Sequence, residues 1–321
     1  MRIGIVGSGT LSVKMLLPLL DSKHEVAAVI LDGRQTRGFR RWLDPRLARW
    51  FRGEFSLGGQ ARKYEIPIFY IDKMTGEEVA PLEKLRLDLI LVGGFSIILK
   101  KPLLAIPRLG CINTHSSLLP RHRGPNPFSA AILAGDTETG VTFHWMDEDI
   151  DTGDIIAQHK ISLDGESTML GLYREACELA GEKVEGLVTS LEVGDALRLP
   201  QPAEAASYEK RLQVADSWID WAASAESIER QVRGMSPQPY VRFRWRKHAI
   251  LTHRVTFDPQ PVDAPPGTVL ANRPLVKIAT GEGTVALRVA FRQKPFPWIW
   301  PAFGSRPDVG EVLPSGAPDT G

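Results

Sequence analysis

From Arg2 to Thr114 the chain repeats one rhythm: a short apolar run, a turn, then a stretch with helical patterning. Residues 2–6 read as a buried strand, Leu11 to Leu20 as a helix and Glu25 to Ile30 as a second strand. Ile66 to Ile71 reads as a strand and Glu77 to Leu85 as a helix, followed by strands at Asp88 to Val92 and Gly110 to Thr114. Short apolar runs alternating with helices predict an α/β domain built on a doubly wound, mostly parallel sheet. Thr139 to Met146 and Ile155 to Ile161 add two strands with polar alternation. Thr168 to Glu192 reads as one long amphipathic helix, with Leu170, Tyr173, Cys177, Ala180, Val184, Leu187 and Leu191 at helical spacing.

A length of 321 residues favours two domains. The first is expected over 1–198. The Pro- and Ala-rich segment 199–206 reads as a linker. Beyond it, Ala225 to Arg233 reads as a helix. Five short strands follow, at Val241–Trp245, Ala249–Phe257, Gly267–Ala271, Val276–Thr280 and Val285–Phe291. Five short strands separated by turn residues suggest a small β-barrel over 207–293. Residues 294–321 hold six prolines and four glycines and read as a loose tail, with Trp298 and Trp300 as anchors for part of it. No internal repeat is visible.

Composition excludes several classes. Hydrophobic residues make up 43% and charged residues 24%, ordinary for a folded soluble domain and too apolar for a disordered chain. No apolar run reaches the ~18 residues of a spanning helix, so no membrane role is expected. The opening Met-Arg-Ile-Gly-Ile-Val lacks the layout of a secretory signal. Two cysteines, Cys111 and Cys177, cannot build a disulfide framework, so a reducing, cytoplasmic setting is expected. The net charge is +1, but residues 33–63 alone carry +7, from eight arginines and one lysine against Asp44 and Glu54. A second basic stretch, Arg242 to Arg254, contains no acid. Local patches of this kind attract anions even on a neutral protein.

Gly7-Ser8-Gly9 stands between a strand and a helix, the setting of a dinucleotide fingerprint. Ser12 occupies the place of the third glycine, and Asp32 is close to where a ribose-binding acid would fall. A tight strand-to-helix turn explains the same residues without a ligand.

The informative stretch runs from Cys111 to Pro125. A buried strand ends at Asn113 and His115, whose spacing of two points both side chains to one face. Open α/β sheets bind ligands at the carboxyl ends of their strands. Further on, Asp147, Glu148, Asp149, Asp151 and Asp154 crowd a turn between two strands. A metal site built from His115, His122, His144 and this acidic turn matches no zinc spacing. Ser116 and Ser117 lack the glycine elbow of a hydrolase nucleophile.

The run Asn113-x-His115, then Ser117-Leu118-Leu119-Pro120-Arg121-His122-Arg123-Gly124, then Gly135-Asp136-x-Glu138-Thr139-Gly140-Val141-Thr142, then Ile150-Asp151-Thr152-Gly153-Asp154 closely resembles the folate-dependent formyltransferase family. The resemblance covers about residues 1–200. It continues more thinly through Ser207–Arg211 and Trp218–Trp221, which look like the junction in the methionyl-tRNA and sugar-nucleotide branches of that family. It implies a formyltransferase-like catalytic domain with a C-terminal OB-like barrel. It also implies formyl transfer from 10-formyltetrahydrofolate to a primary amine, without a metal. The family's catalytic Asn, His and Asp fall on Asn113, His115 and Asp151. In that chemistry an amine attacks the formyl carbon and negative charge develops on its oxygen. Asn113 and a protonated His115 would donate to that oxygen. Asp151 would orient His115, raise its pKa, and take the amine's proton directly or through water. The resemblance further implies that Gly94, Phe95, Ile97, Leu99, Leu118, Asp147, Asp149 and Ile150 hold the folate, with residues 93–99 gripping the pterin.

The sequence says less about the amine. In the tRNA enzymes a basic insertion follows the second strand. Residues 33–63 lie there, reading as an arginine-faced helix with Phe39, Trp42, Leu43, Leu47, Trp50 and Phe51 along one side. Arg34, Arg37, Arg40 and Arg41 suit the phosphates of tRNA or the diphosphate of a sugar nucleotide. Arg242, Arg244, Arg246 and Lys247 lean toward a nucleic acid. Methionyl-tRNA is the leading acceptor, with a small amine such as an amino-sugar nucleotide or amino acid as the alternative. A folate-binding module and a formyl-folate hydrolase are further alternatives.

Overall fold

A computed structural model describes residues 1–36, 56–95, 97–236, 239–246, 248–292 and 306–317. Phe39, Trp42, Leu43, Leu47, Trp50, Phe51, Arg37, Arg40, Arg41, Ser96, Lys247, Trp298 and Trp300 lie outside the described residues. The chain divides into two compact units. One comprises Met1–Pro127, Glu138–Ser162 and Tyr173–Glu209; the other comprises Phe128–Thr137, Leu163–Leu172 and Lys210–Gly321.

The first unit is built on seven strands in the order β3-β2-β1-β4-β5-β6-β7. These are β1 (Arg2–Gly7), β2 (Glu25–Asp32), β3 (Ile68–Ile71), β4 (Leu89–Gly93), β5 (Gly110–His115), β6 (Glu138–Trp145) and β7 (Ile155–Ser162). Strands β1 to β5 pair in parallel, and β6 and β7 close the edge antiparallel. The expected strand at 66–71 begins only at Ile68, because Pro67 has no N–H to give to a ladder.

Strand order reverses between β1 and β4, which pair from Ile3 with Leu89 to Gly7 with Gly93. A Cβ at Gly7 would run into the Gly93 carbonyl and the Ser12 side chain, so this glycine serves close packing. Helix α1 (Thr10–Leu20) starts at Gly9 without a side-chain cap. The Tyr173 hydroxyl lies beside this turn, 3.3 Å from where a Cβ at Gly9 would stand. Asp32 is buried and takes the Arg34 N–H at 2.9 Å and its guanidinium at 3.1 Å. The Gly-Ser-Gly segment is therefore a packed strand-to-helix turn whose nearby acid is held by an arginine.

On β5, Thr114 points its hydroxyl to Met15 of α1, 3.2 Å away. Alternation then sends Cys111, Asn113 and His115 to the opposite face. Along that face Val6, Ala28, Ile30, Ile90, Val92 and Cys111 form a buried cluster, with Phe95, Ile97 and Met146 packed against it.

The second unit holds an antiparallel, OB-like sheet in the order β10-β11-β12-β9-β8. Its strands are β8 (Val241–Trp245), β9 (His248–Asp258), β10 (Val269–Ala271), β11 (Val276–Ala279) and β12 (Thr284–Arg292). A helix at Ala225–Met235 begins at Ser224, whose side chain accepts the Ser227 N–H. Trp221, Ile228, Val232, Phe243, Ile250, Leu287 and Leu313 share its core. Leu313 corrects the expectation of a loose tail for residues 306–317. Val269 N–H donates to the Glu311 carbonyl and Leu313 N–H to the Gly267 carbonyl, both at 2.9 Å, so this segment extends the sheet beside β10. A further helix spans Pro127–Ala134, whose mostly apolar sequence shows no amphipathic period to mark it.

Candidate active site

Three chain segments meet at the carboxyl end of β5. Asn113 is paired through its backbone with Val92 of β4 on one side and His144 of β6 on the other. Its side-chain nitrogen lies 3.2 Å from Asp151 Oδ1 and 3.1 Å from His144 Nε2. His115 Nδ1 faces Asp151 Oδ2 at 3.5 Å, and its Nε2 is 2.9 Å from the His122 carbonyl. Asp151 Oδ2 also accepts the Gly124 N–H at 2.9 Å. The structure thus brings Asn113, His115 and Asp151 into one cluster.

His144 belongs to it as well, although nothing in its spacing sets it apart from other strand residues. Its Nδ1 lies 2.8 Å from the Trp145 carbonyl, and its Nε2 lies 3.1 Å from the Asn113 side-chain nitrogen and 3.6 Å from Asp151 Oδ1. The Asn113 amide thus lies between His144 and Asp151, donating to the carboxylate. The cross-strand pairing of His144 with Asn113 is a feature of register, which motif spacing does not display.

Burial governs the charges. It pushes His115 below the usual histidine range, outweighing the upward pull of Asp151. The expectation that Asp151 raises this pKa therefore holds for that one contact and fails for the sum. Burial would also raise the Asp151 carboxyl, but the His144 ring, the His115 charge and the Gly124 N–H together bring it down to about 2. At neutral pH the pair is an ionised Asp151 and a neutral His115, whose proton on Nε2 is directed to the His122 carbonyl.

The loops around the cluster are held in uncommon conformations. Asp151 and His122 have φ of 56° and 57°, the left-handed region that costs a residue with a Cβ of order 1 kcal/mol or more. His122 is fixed by its N–H to the Ser207 hydroxyl at 2.8 Å and its ring to Glu209 Oε1 at 3.1 Å.

Of the residues expected around folate, Gly94 is exposed immediately beyond β4, Phe95 and Ile97 are half-buried, and Leu99 is buried. The loop leaves the sheet one residue past the pairing of Val92 with Asn113. Leu118 is half-buried over Gly140 of β6. Ile150 is half-buried, and Asp147 and Asp149 are exposed. Asp147 turns onto its own loop, accepting the Asp149 N–H at 3.1 Å and the Thr152 hydroxyl at 2.7 Å. Ser117 is buried and donates to the Arg121 carbonyl, which removes it as a nucleophile. Among the described residues no three His, Cys, Asp or Glu side chains are grouped to hold a metal ion.

Comparison with known proteins gives a consistent result. A family model described as formyl transferase matches residues 1–188, and one described as formyl transferase, C-terminal domain, matches 211–295. A methionyl-tRNA formyltransferase of Symbiobacterium thermophilum is 34% identical over 292 residues, covering 90% of this chain and 87% of the relative. A methionyl-tRNA formyltransferase of Parvibaculum lavamentivorans is 31% identical over 290 residues, covering 89% and 91%. In three dimensions the chain resembles WlaRD, a sugar 3N-formyl transferase whose crystal structure was solved with dTDP and 5-N-formyl-THF. That match has a TM-score of 0.65 and 20% identity, over 89% of this chain and 97% of that one. At that identity the likeness speaks to the fold.

Proposed function

The chain belongs to the formyl transferase family, and from that premise we propose that it moves a formyl group from 10-formyltetrahydrofolate to the amino group of methionyl-tRNA in the cytoplasm. The observation that carries the reading is the meeting of Asn113, His115 and Asp151 at the sheet's carboxyl edge. The acceptor is supported by two relatives of that activity whose similarity runs over about nine-tenths of the chain. We further assign catalysis to residues 1–198 and the OB-like domain to 207–293, in keeping with the extents of the two family models.

The residues after β4 fit a flat ring system. Phe95 and Ile97 keep part of their apolar surface accessible beside the buried Leu99, and Gly94 leaves its backbone open. Phe95, Ile97, Leu99, Leu118 and Ile150 would hold the folate, with Asp147 and Asp149 on the exposed turn nearby. When bound, the folate supplies an activated formyl carbon and a nitrogen leaving group.

Asp151 enters the reaction ionised and His115 neutral, with a lone pair on Nδ1. As the amine attacks, a C–N bond forms and the amine nitrogen becomes acidic. Asp151, or His115 Nδ1 beside it, takes that proton directly or through a water. Asn113 turns one N–H from the carboxylate to the formyl oxygen, where negative charge is growing. A protonated His115 is then balanced by Asp151, and the proton passes to the departing folate nitrogen as its bond to the formyl carbon breaks.

Of the cations expected to meet an acceptor, Arg37, Arg40, Arg41 and Lys247 lie outside the described residues. Arg34 is paired with Asp32. Arg242 is buried with its guanidinium 5.8 Å from the Trp218 ring centroid. Arg246 lies over Trp245 and 3.8 Å from Asp308. Arg254 and Arg288 are exposed on the OB-like sheet and suit phosphates.

The test supplies 10-formyltetrahydrofolate with methionyl-tRNA, amino-sugar nucleotides or amino acids in separate reactions and follows the folate product. Turnover with methionyl-tRNA that weakens steeply with salt is expected. Turnover with a small amine alone, little affected by salt, would overturn the acceptor. Release of formate without any acceptor would make the protein a hydrolase.

A further inference from the structure

We propose that Gln201 is a positioning residue for formyl transfer, holding the backbone of the turn that carries Asp151. The inference rests on the reading of Asn113, His115 and Asp151 as the catalytic set.

Gln201 Nε2 donates to the Asp151 carbonyl at 2.9 Å and to the Gly153 carbonyl at 2.8 Å. The two hydrogens of one amide therefore bracket Thr152 and fix the turn on both sides. Gln201 Oε1 accepts from Arg123 Nε at 3.1 Å and Nη2 at 2.7 Å. A guanidinium only donates and a carbonyl only accepts, so the orientation of this amide has no alternative. Arg123 precedes Gly124, whose N–H holds the Asp151 carboxylate. One connected set of bonds thus fixes both the backbone of Asp151 and its side chain.

The position needs such support. Asp151 has φ 56°, a conformation that persists only where its surroundings over-determine it. Gln201 is itself anchored on both sides along the chain. Leu199 exchanges backbone bonds with Ile155 at 2.8 and 3.0 Å, while Ser207 and Glu209 bond to the backbone of Arg123 at 2.9 and 2.8 Å. A segment that reads as a linker is in this respect a strap laid across the catalytic turn. The Gln201 amide bonds to the backbone of the Asp151 turn and to Arg123, so its influence on the reaction runs through Asp151. Displacing a reacting group by about 1 Å costs on the order of 100-fold in rate.

The test uses the full chain with Gln201→Glu and Gln201→Met, assayed with whichever acceptor the wild type turns over. Glutamate keeps the shape and a partner for Arg123 but sets oxygen against two carbonyl oxygens. Methionine keeps the bulk and removes every polar contact. Both should lower kcat by about 10- to 100-fold, with KM for the formyl donor within about twofold and the melting temperature little changed. Wild-type kcat in both variants, with Asp151→Asn inactive, overturns the role of Gln201 and leaves the catalytic set standing. A loss that follows only the folded fraction overturns it too. An inactive wild type, or an active Asp151→Asn, defeats the catalytic reading instead. Should either glutamine variant fold poorly, Arg123→Lys, which loosens Gln201 from its other side, must show the same fall in kcat, and an unchanged kcat there overturns the proposal.

Discussion

The side-chain nitrogen of Asn113 lies 3.2 Å from Asp151 Oδ1, joining two residues 38 positions apart. The same nitrogen lies 3.1 Å from His144 Nε2. The group best placed to stabilise a growing negative charge is thus already bonded to a negative charge. In the proposed reaction that arrangement would couple its two halves. While Asp151 is anionic it holds the amide through a charge-assisted bond, roughly twice as strong as a neutral one. Once Asp151 or its His115 partner has taken the amine's proton, that hold weakens and the amide can turn to the formyl oxygen. In the proposed mechanism, proton removal and oxyanion stabilisation would become one event.

Asp151→Asn and Asn113→Ala should each lower kcat by about 100- to 1000-fold, with smaller changes in KM. Steady-state kinetics on folded protein checks this. His144→Phe removes a partner of Asn113 and no reacting group, so its loss should be smaller than that of Asn113→Ala. An equal or greater loss would place His144 among the reacting groups.

Stability should fall in acid, in two stages. Burial holds the folded pKa of His115 below its ordinary value of 6.5. The unfolded chain therefore binds the extra proton first, and stability declines as pH drops below about 6.5. Asp151 has a folded pKa of about 2 against an ordinary 3.8. Its contribution is present above the ordinary value and lost as pH falls through about 2, amounting to about 2 kcal/mol. Thermal melts of wild type and Asp151→Asn between pH 7 and 2 isolate that share: the gap between them should narrow below pH ~4. A gap independent of pH would remove the ionised carboxylate from the argument.

What could be read in the sequence followed from periodicity and local motif. Asn113 and His115 were legible because a spacing of two on a strand fixes a shared face. Asp151 was legible through the resemblance its turn carries. His144 and Gln201 were not, since their roles come from cross-strand register and from a chain segment returning 50 positions later. The upward pull of Asp151 on His115 is legible as a nearby acid, whereas the larger downward push of burial emerges only from packing. The Arg242 to Arg254 stretch read as one basic patch, yet Arg242 is buried and Arg246 shares its charge with Asp308.

Gly124 has φ 105°, and a Cβ there would strike the Glu209 carbonyl. Gly124→Ala should therefore push the backbone away and lengthen the bond from its N–H to Asp151. We expect a stability loss of about 1–3 kcal/mol together with a fall in kcat larger than the folded fraction accounts for. Melting curves and kinetics on the same preparation separate the two effects. Normal kcat in a destabilised variant would show that the Gly124 N–H contributes nothing to catalysis.

The same logic applies to the C-terminal segment, whose composition masks its role. Prolines and glycines at 306–317 break regular patterning, but one apolar side chain, Leu313, enters the core with 2% exposure. Glu311 reinforces the segment by accepting from the Trp245 indole at 3.1 Å and the Asp308 N–H at 3.0 Å. Leu313→Ala removes buried methyl groups beside Trp221 and should cost about 3 kcal/mol, lowering the melting temperature by roughly 10 °C. Glu311→Gln keeps an acceptor oxygen and should cost less. If Leu313→Ala melts with the wild type, the segment adheres without supporting the fold, and the reading of 306–317 as an added strand of the OB-like sheet fails.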